Sequence, residues 1–491
     1  MSEEFEWIGG QLTSQAVPPD EHPWIEQHGC TRSYRRLRDG IRAHYRRYYP
    51  LTRKALDRQW LNPGNGCVSA ICHEPRVSLA VLQGFLTPYE AAGRLTILPG
   101  HVPVKADTDG DRVTSITVRQ GAEDVVITAP YFVDATENGD LLPLARVEHV
   151  TGAESSDETG EPHAPESAQP ANMQAISWCF VISHDPDRDN TIDRPANYAY
   201  WRDFRPDIKP DWGSRLLSWS ATHPHTLDPV IRTFDPVDPE PERGPMDLWT
   251  FRRIADRTNF TEGFYDSDIV LVNWPQIDYL GGNVIDDDVA RHREGARELS
   301  RSMLYWMQTE APRRDGGIGW KGLRLRPDVT GTADGLAMAP YIRESRRIRG
   351  EFTVLEQHVS TAAREAAEAE RFPDSVGIGA YRIDLHPSTG GDNYIDVSAL
   401  PFQIPMGALI PRRVENLLAG GKNLSVTHIT NGCYRLHPVE WNVGEAAGLL
   451  ASYCLDRGVS PRAARASHLE DFQRLLRAEG VELEWPRTTP L

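Results

Sequence analysis

The chain has 491 residues, a formal net charge of -17, 40% apolar and 25% charged residues. That acidity argues against nucleic acid or an anionic membrane as the main partner, because both call for clustered Lys and Arg. The length implies two or more intertwined domains, no apolar run approaches the ~20 residues of a bilayer span, and the acidic start is the reverse of a secretory signal.

The opening MSEEFEWIGGQLTSQ reads as a loop, with Gly9–Gly10 following the acids Glu3, Glu4 and Glu6. TRSYRRLRDGIRAHYRRYY follows as a helix whose arginines are expected to form a solvated, amphipathic face. HEPRVSLAVLQGFLTPYEAAG (73–93) has apolar residues at helical spacing and a Gly stop. RLTILPGHVPVKADTDGDRVTSITV alternates as paired strands around the Asp109–Gly110 turn, and VVITAPYFVDAT runs as a further strand into the polar turn ENGDLL. From about 151 to 245 the chain is rich in Pro, Asp, Glu and Ser, as in long surface loops. The apolar stretches QAISWCFVIS (174–183) and DIVLVNWPQIDYL (268–280) predict a second, mostly antiparallel sheet, and VARHREGARELSRSMLYWMQTEA (289–311) an amphipathic helix. The last third returns to α/β character, with NLSVTHI as a strand and PVEWNVGEAAGLLASYCLDRG as a helix. Pro438 suits that helix's first turn and Gly458 its stop, while Gly444, Ala447, Gly448 and Ala451 share one close-packing face.

Three common chemistries fail on context. Gly317, Gly319 and Gly322 match G-x-G-x-x-G, but no strand precedes them and no helix follows, so the stretch reads as a loop. Cys67, Cys72 and His73 lack a second Cys or His pair, so neither zinc nor an iron–sulfur cluster is expected. No G-x-S-x-G elbow supports a hydrolase. The six scattered cysteines (Cys30, Cys67, Cys72, Cys179, Cys433, Cys454) read as reduced thiols of a cytoplasmic protein.

YFVDATENGDLLPLA (131–145) resembles the strand and turn at which two-dinucleotide-binding-domain flavoproteins leave their cofactor domain, although Glu137 stands where many have Gly. NLLAGGKNLSVTHITNGCYRLHPVEWNVGEAAGLLASYCLDRG (416–458) resembles the closing segment of the FAD-dependent oxidoreductase family in that superfamily. WIGGQLTS, HEPRV, MAPYIRESRRIRGEF (338–352) and VGIGAYRIDLHPSTGG (376–391) resemble the same family in the same order. The resemblance implies an α/β fold: an FAD-binding, Rossmann-like domain of glutathione-reductase type, built from residues 1–170 and 376–491. Residues 171–375 would form an inserted substrate domain on mostly antiparallel sheet. It further implies FAD as cofactor and an oxidoreductase moving hydride to or from flavin on a small organic substrate.

Carried over by position, Glu3 would be the ribose acid, and Gly9, Gly10 and Gln11 would lie near the diphosphate and flavin. Asp134, Thr136 and Asp140 would shape the exit turn. Asn431, Gly432, Val443, Gly444 and Glu445 would line the flavin side of the closing helix. Among the acid–base candidates His73, His386, His428 and His437, the last two flank the loop expected to face flavin and rank first. Arg343, Arg346 and Arg347 could clamp an anionic substrate or pair with neighbouring acids. A family member is expected to open with a strand, glycine-rich turn and helix, roughly 30 residues ahead of the ribose acid. The sequence holds none of these; an upstream start is expected, in preference to a degraded remnant or a first unit supplied by another chain. A chain truly starting at Met1 would bind FAD weakly or not at all, leaving a non-catalytic remnant or binding scaffold as the alternative.

Overall fold

The computed structural model describes residues 1–285, 288–364, 366–486 and 489–491. After the N-terminal loop, helix α1 (Arg32–Tyr48) starts where the Thr31 side chain accepts a hydrogen bond from the Tyr34 amide. Helix α2 (Pro75–Ala91) packs beside it, and Tyr34, Leu37, Ile41, Tyr45, Val77 and Val81 bury the seam. The expected solvated arginine face of α1 is corrected at two positions. Arg38 and Arg42 are only 1% and 2% exposed. They are drawn inward because Glu21 and Glu26, on the preceding loop, reach them at 2.8 and 2.5 Å.

Strands β1 (Val102–Asp109), β2 (Arg112–Gln120) and β3 (Glu123–Ile127) form an antiparallel meander. Strand β4 (Phe132–Asp134) pairs in parallel with a late strand at Leu417–Ala419, and Ser2 bridges Leu98 in parallel. A four-stranded antiparallel sheet follows, built from β5 (Phe180–His184), β6 (Arg253–Ala255), β7 (Ile269–Val272) and β8 (Leu323–Leu325), in the order β6-β7-β5-β8. Both of its faces are buried, which explains why QAISWCFVIS and DIVLVNW read as nearly continuous apolar runs. Val270, Val272, Phe180 and Ile182 face helix α3 (Val289–Thr309), while Ile269, Leu271, Cys179 and Val181 face the core of α1 and α2.

The α/β core closes with strands β9 (Ser375–Gly379), β10 (Ile383–Leu385), β11 (Ile395–Val397), β12 (Phe402–Pro405) and β13 (Leu417–Ala419), then helices α4 (His428–Tyr434) and α5 (His437–Arg457). The late strand is therefore β13, and the expected strand over NLSVTHI is corrected to a loop running into α4. Thr427 stops any extension, because its hydroxyl accepts from the Thr430 amide while Thr430 reaches back to the Thr427 amide. Helix α5 carries Pro438 in its first turn and ends at Gly458, whose φ of 66° is left-handed.

Candidate functional site

Two glycines in left-handed conformation, Gly9 (φ 112°) and Gly10 (φ 52°), turn the N-terminal loop toward the first turn of α5. There Gln11 Nε2 donates to Glu440 Oε1 at 2.8 Å. The buried Lys422 ammonium lies 2.5 Å from Glu137 and 4.0 Å from Glu440. A side chain on Gly10 would begin 2.9 Å from Glu137 Oε1, so this loop and the turn after β4 are in close approach. The Glu3 backbone pairs with Leu98 and His101. Burial, opposed by the Phe5 amide and aided by Glu137, pushes its carboxyl up to about 7.

The turn after β4 is held by its own side chains. Asp134 accepts the Thr136 amide at 3.0 Å and the Thr136 hydroxyl at 2.7 Å, and that hydroxyl accepts the Asp140 amide at 2.6 Å. Burial pushes the Asp134 carboxyl up to about 6. Asp140 pairs with Arg346 at 3.1 Å, and Arg346 also donates to the Asn138 and Ile285 carbonyls.

The remaining positions named from sequence divide among several faces. Gly444 approaches β13, since a Cβ there would stand 3.1 Å from the Gly420 carbonyl. Val443 is buried in the α/β core, and Glu445 accepts the Ser33 hydroxyl at 2.5 Å, on the side of α1. Gly432 packs α4 against β10, where a Cβ would stand 2.9 Å from the Asp384 amide. Asn431 Nδ2 donates to the Arg343 carbonyl at 3.0 Å.

His428 and Arg347 share one buried ion network. His428 Nδ1 lies 3.0 Å from both Glu344 oxygens, while Arg347 reaches Glu344, Glu154 and the Gly152 and Val426 carbonyls. Burial alone would raise the Glu344 carboxyl, yet His428 and Arg347 hold it down at about 2. Burial opposes charging of His428, and Glu344 overcomes it, lifting its pKa. His73 is likewise committed, 2.6 Å from the Ile71 carbonyl and 2.5 Å from the Ser78 hydroxyl.

His437, His386 and Arg343 belong to a different setting, a chamber only in the sense of a buried polar network around Tyr341, on which Arg435, Asp20, Arg343 and Arg252 act. His437, the first residue of α5, accepts the Asp20 amide at Nδ1 (3.1 Å). That bond places the ring hydrogen on Nε2, which is buried and has no partner. Burial, with Arg252 nearby and Asp20 opposing, lowers His437 to about 4, so the ring is a neutral donor at pH 7. Asp20 pairs with Arg252 at 3.1 Å.

Across the chamber Arg343 pairs with Asp278 at 3.2 Å and lies 5.0 Å over the Tyr341 ring. Arg435 reaches the Tyr341 hydroxyl (3.3 Å) and Asp384 (3.4 Å). Asp278 also accepts the Ser177 hydroxyl and approaches His386 Nδ1, both at 2.6 Å, and the His386 ring stands 5.4 Å from Tyr394. Arg343, foremost among its partners, keeps the Asp278 carboxyl below its ordinary value despite burial, so Asp278 is the acceptor and His386 presents a free Nε2 lone pair. His386 and Asp384 side chains stay 18% and 23% accessible, unlike the enclosed Asp278 and Arg343.

Asp20, Arg252, Asp278, Tyr341, Tyr394 and Arg435 were not singled out from sequence. The usable signal was an acid inside an apolar segment, Asp278 in PQIDYL, because an acid in such a place needs a partner. Two surface clefts, of about 670 and 750 Å³, lie elsewhere, around Arg412, Arg462 and Arg465 and around Tyr200, Trp201 and Tyr279. Neither includes a chamber residue. Among the described residues, no set of three or more His, Cys, Asp or Glu could hold a metal ion, and no helix is long and apolar enough to cross a membrane.

The Gly9–Gln11 loop and the turn after β4 leave several buried polar atoms unanswered, the kind of surface a polar group such as the polyol chain of a flavin could satisfy. Gln11 Oε1, both Gln15 side-chain atoms, Asp134 Oδ2 and Asn138 Oδ1 are buried without partners. Each such orphan costs about 1–3 kcal/mol unless something polar satisfies it. A strand–glycine turn–helix cradle for a diphosphate is not among the described residues that converge here. A family model described as FAD dependent oxidoreductase matches residues 1–476, and the chain belongs to that family, whose cofactor is FAD. No curated protein and no solved structure matches the chain.

Proposed function

We propose that this family member oxidises or reduces a small organic molecule by hydride transfer in the chamber bounded by the Gly9–Gln11 loop, the start of α5 and the arginine–tyrosine cluster. The observation that carries this reading is the His437 Nε2–H, a buried and unpartnered donor at the N-terminus of the 21-residue α5. FAD, when bound, supplies the hydride acceptor or donor. His437 stays neutral at pH 7 and donates toward negative charge developing in the chamber, aided by the positive end of α5. His386, oriented by Asp278, takes the proton of a substrate hydroxyl or amine at Nε2, or returns it in the reverse direction. Glu3, Gly9, Gly10, Gln11, Asp134, Thr136 and Asp140 hold the cofactor. His428 and Arg347 are positioning residues, locking α4 to the loop that carries Arg343. The proposed division sets residues 1–170 and 376–491 as the cofactor-binding unit around the substrate unit 171–375.

The test is an FAD titration of the purified chain, followed by the visible flavin bands. Saturable uptake is expected, with a band displaced in His437→Phe. A chain that takes up no FAD would sink the enzyme reading, and an unchanged spectrum in the variant would remove His437 from the flavin.

A further inference from the structure

The buried arginines around the chamber differ in what they hold. Arg252, Arg343 and Arg435 each face an aspartate: Asp20, Asp278 and Asp384. Arg232 is the fourth. It is 8% exposed, pairs with no carboxylate, and makes a single side-chain hydrogen bond, from Nη1 to the Pro245 carbonyl at 2.6 Å. Its Nε is buried without a partner, and Nη2 has none either among the described residues. Those two nitrogens form one edge of the planar guanidinium, the edge that grips a carboxylate through two parallel hydrogen bonds. The other three arginines share the unpartnered Nε, but their Nη2 on that edge is already spent on an aspartate.

The charges that act on Arg232 are those of Tyr394 and Cys67, neutral groups at pH 7, and burial lowers its pKa. A largely buried cation with no counter-ion, held only by a carbonyl and by solvent at Nη2, is unfavourable relative to one completed by an anion. Tyr394 ties Arg232 to the chamber, since the phenol lies beside His386 and is acted on by Asp278, Arg232, Asp384 and Arg343. Of the four arginines, Arg232 is the one with no carboxylate partner.

We propose that the substrate of this chamber bears a carboxylate, and that Arg232 binds it through its free Nε/Nη2 edge, Tyr394 lying between that anion and the His386–Asp278 pair. The inference rests on the chamber being the substrate site, and it makes Arg232 a specificity residue absent from the sequence reading. The anchored acid sets which end of the molecule faces the hydride-transfer position.

Calorimetric titration of the full chain with acetate, succinate and benzoate, and with benzamide as the neutral match of benzoate, tests this, with and without added FAD. Wild type is expected to bind at least one carboxylate and to prefer benzoate over benzamide. Arg232→Met should weaken carboxylate binding by roughly tenfold or more, and Arg232→Lys should restore part of it. Because the substitution to Met removes an uncompensated buried cation, its melting temperature should equal or exceed that of wild type. A wild type that binds none of the three acids, an Arg232→Met that binds them unchanged, or one that melts lower or fails to fold, would overturn the proposal. Failure of FAD uptake with carboxylate binding intact would count against the flavoenzyme reading and leave the anion site standing.

Discussion

Replacing Arg347 by Met strips the cation from the most deeply buried ion network of the α/β core. Arg347 is 0% exposed, as is the Glu344 side chain, and the Glu154 side chain is 9% exposed. Three guanidinium nitrogens are engaged, toward Glu344, Glu154 and two carbonyls. Met fills much of the space but leaves two carboxylates in low dielectric with only His428 to answer them. Removing one partner of such a network costs about 3–5 kcal/mol. The pH dependence carries the sharper signature. A carboxyl held at about 2, below its ordinary 4.5, stabilises the fold above 4.5 and gives that stability up as the pH falls toward 2. For Glu344 the full amount is about 3 kcal/mol. In Arg347→Met the Glu344 carboxyl moves up, so the deficit against wild type should be largest near pH 7 and shrink in acid. Urea unfolding followed by tryptophan emission at pH 7 and pH 4 measures both. A deficit below about 1 kcal/mol at pH 7, or one of equal size at the two pH values, would refute the account of this network as a single electrostatic unit.

Glu161 tests the opposite sign. Burial pushes its carboxyl up to about 7, and its Oε2 has no partner. It therefore destabilises the fold above pH 7 and is relieved as the pH falls toward 4.5, so Glu161→Gln should gain up to about 3 kcal/mol at pH 8 and lose most of that advantage by pH 5 in thermal unfolding. Two glycines of the C-terminal helices should diverge on substitution by Ala. Gly432→Ala forces a Cβ to within 2.9 Å of the Asp384 backbone and should destabilise by about 1–3 kcal/mol. Gly448→Ala meets nothing within 4 Å and should stabilise α5 by roughly 0.5–1 kcal/mol, both read as shifts in unfolding midpoint.

The elements legible in the sequence were those whose signal is local. Pro438 and Gly458 bracket α5 because a fixed φ and a left-handed stop are properties of single residues. The apolar runs of β5 and β7 showed a strongly buried sheet, although they could not show that residues 12–81 cover one of its faces. NLSVTHI misled because its apolar alternation competes with a capping box, and the Thr427–Thr430 pair settles that competition in favour of α4. At the candidate site, Gly9–Gly10 and the turn after β4 were singled out from the resemblance, and their left-handed glycines and hydroxyl–carboxylate turn are local features a sequence can carry. His437 was singled out because it flanks the loop expected to face flavin, and the structure places it as the first residue of α5.

The charged residues were harder to sort, and the arginines show why. Arg38, Arg42, Arg347 and Arg232 are all buried, and nothing in their immediate sequence separates them. The first three differ from the last only through distant neighbours. Glu21 and Glu26 precede Arg38 and Arg42 on another element, and Glu154 reaches Arg347 across 193 residues. Each of those cations uses Nε and both Nη groups within the fold, so its charge is neutralised before any ligand arrives. Arg232 has no such neighbour. An arginine's role is therefore set by the balance of acids around it, a quantity that exists only once the chain is folded. Applied to the cluster YIRESRRIRG, the same reasoning divides three of its four arginines: Arg347 holds the core, Arg346 holds the turn at Asp140, and Arg343 pairs with Asp278. Of these, Arg343 is paired with Asp278 beside Tyr341, whereas Arg232, outside the cluster, has no carboxylate partner at all.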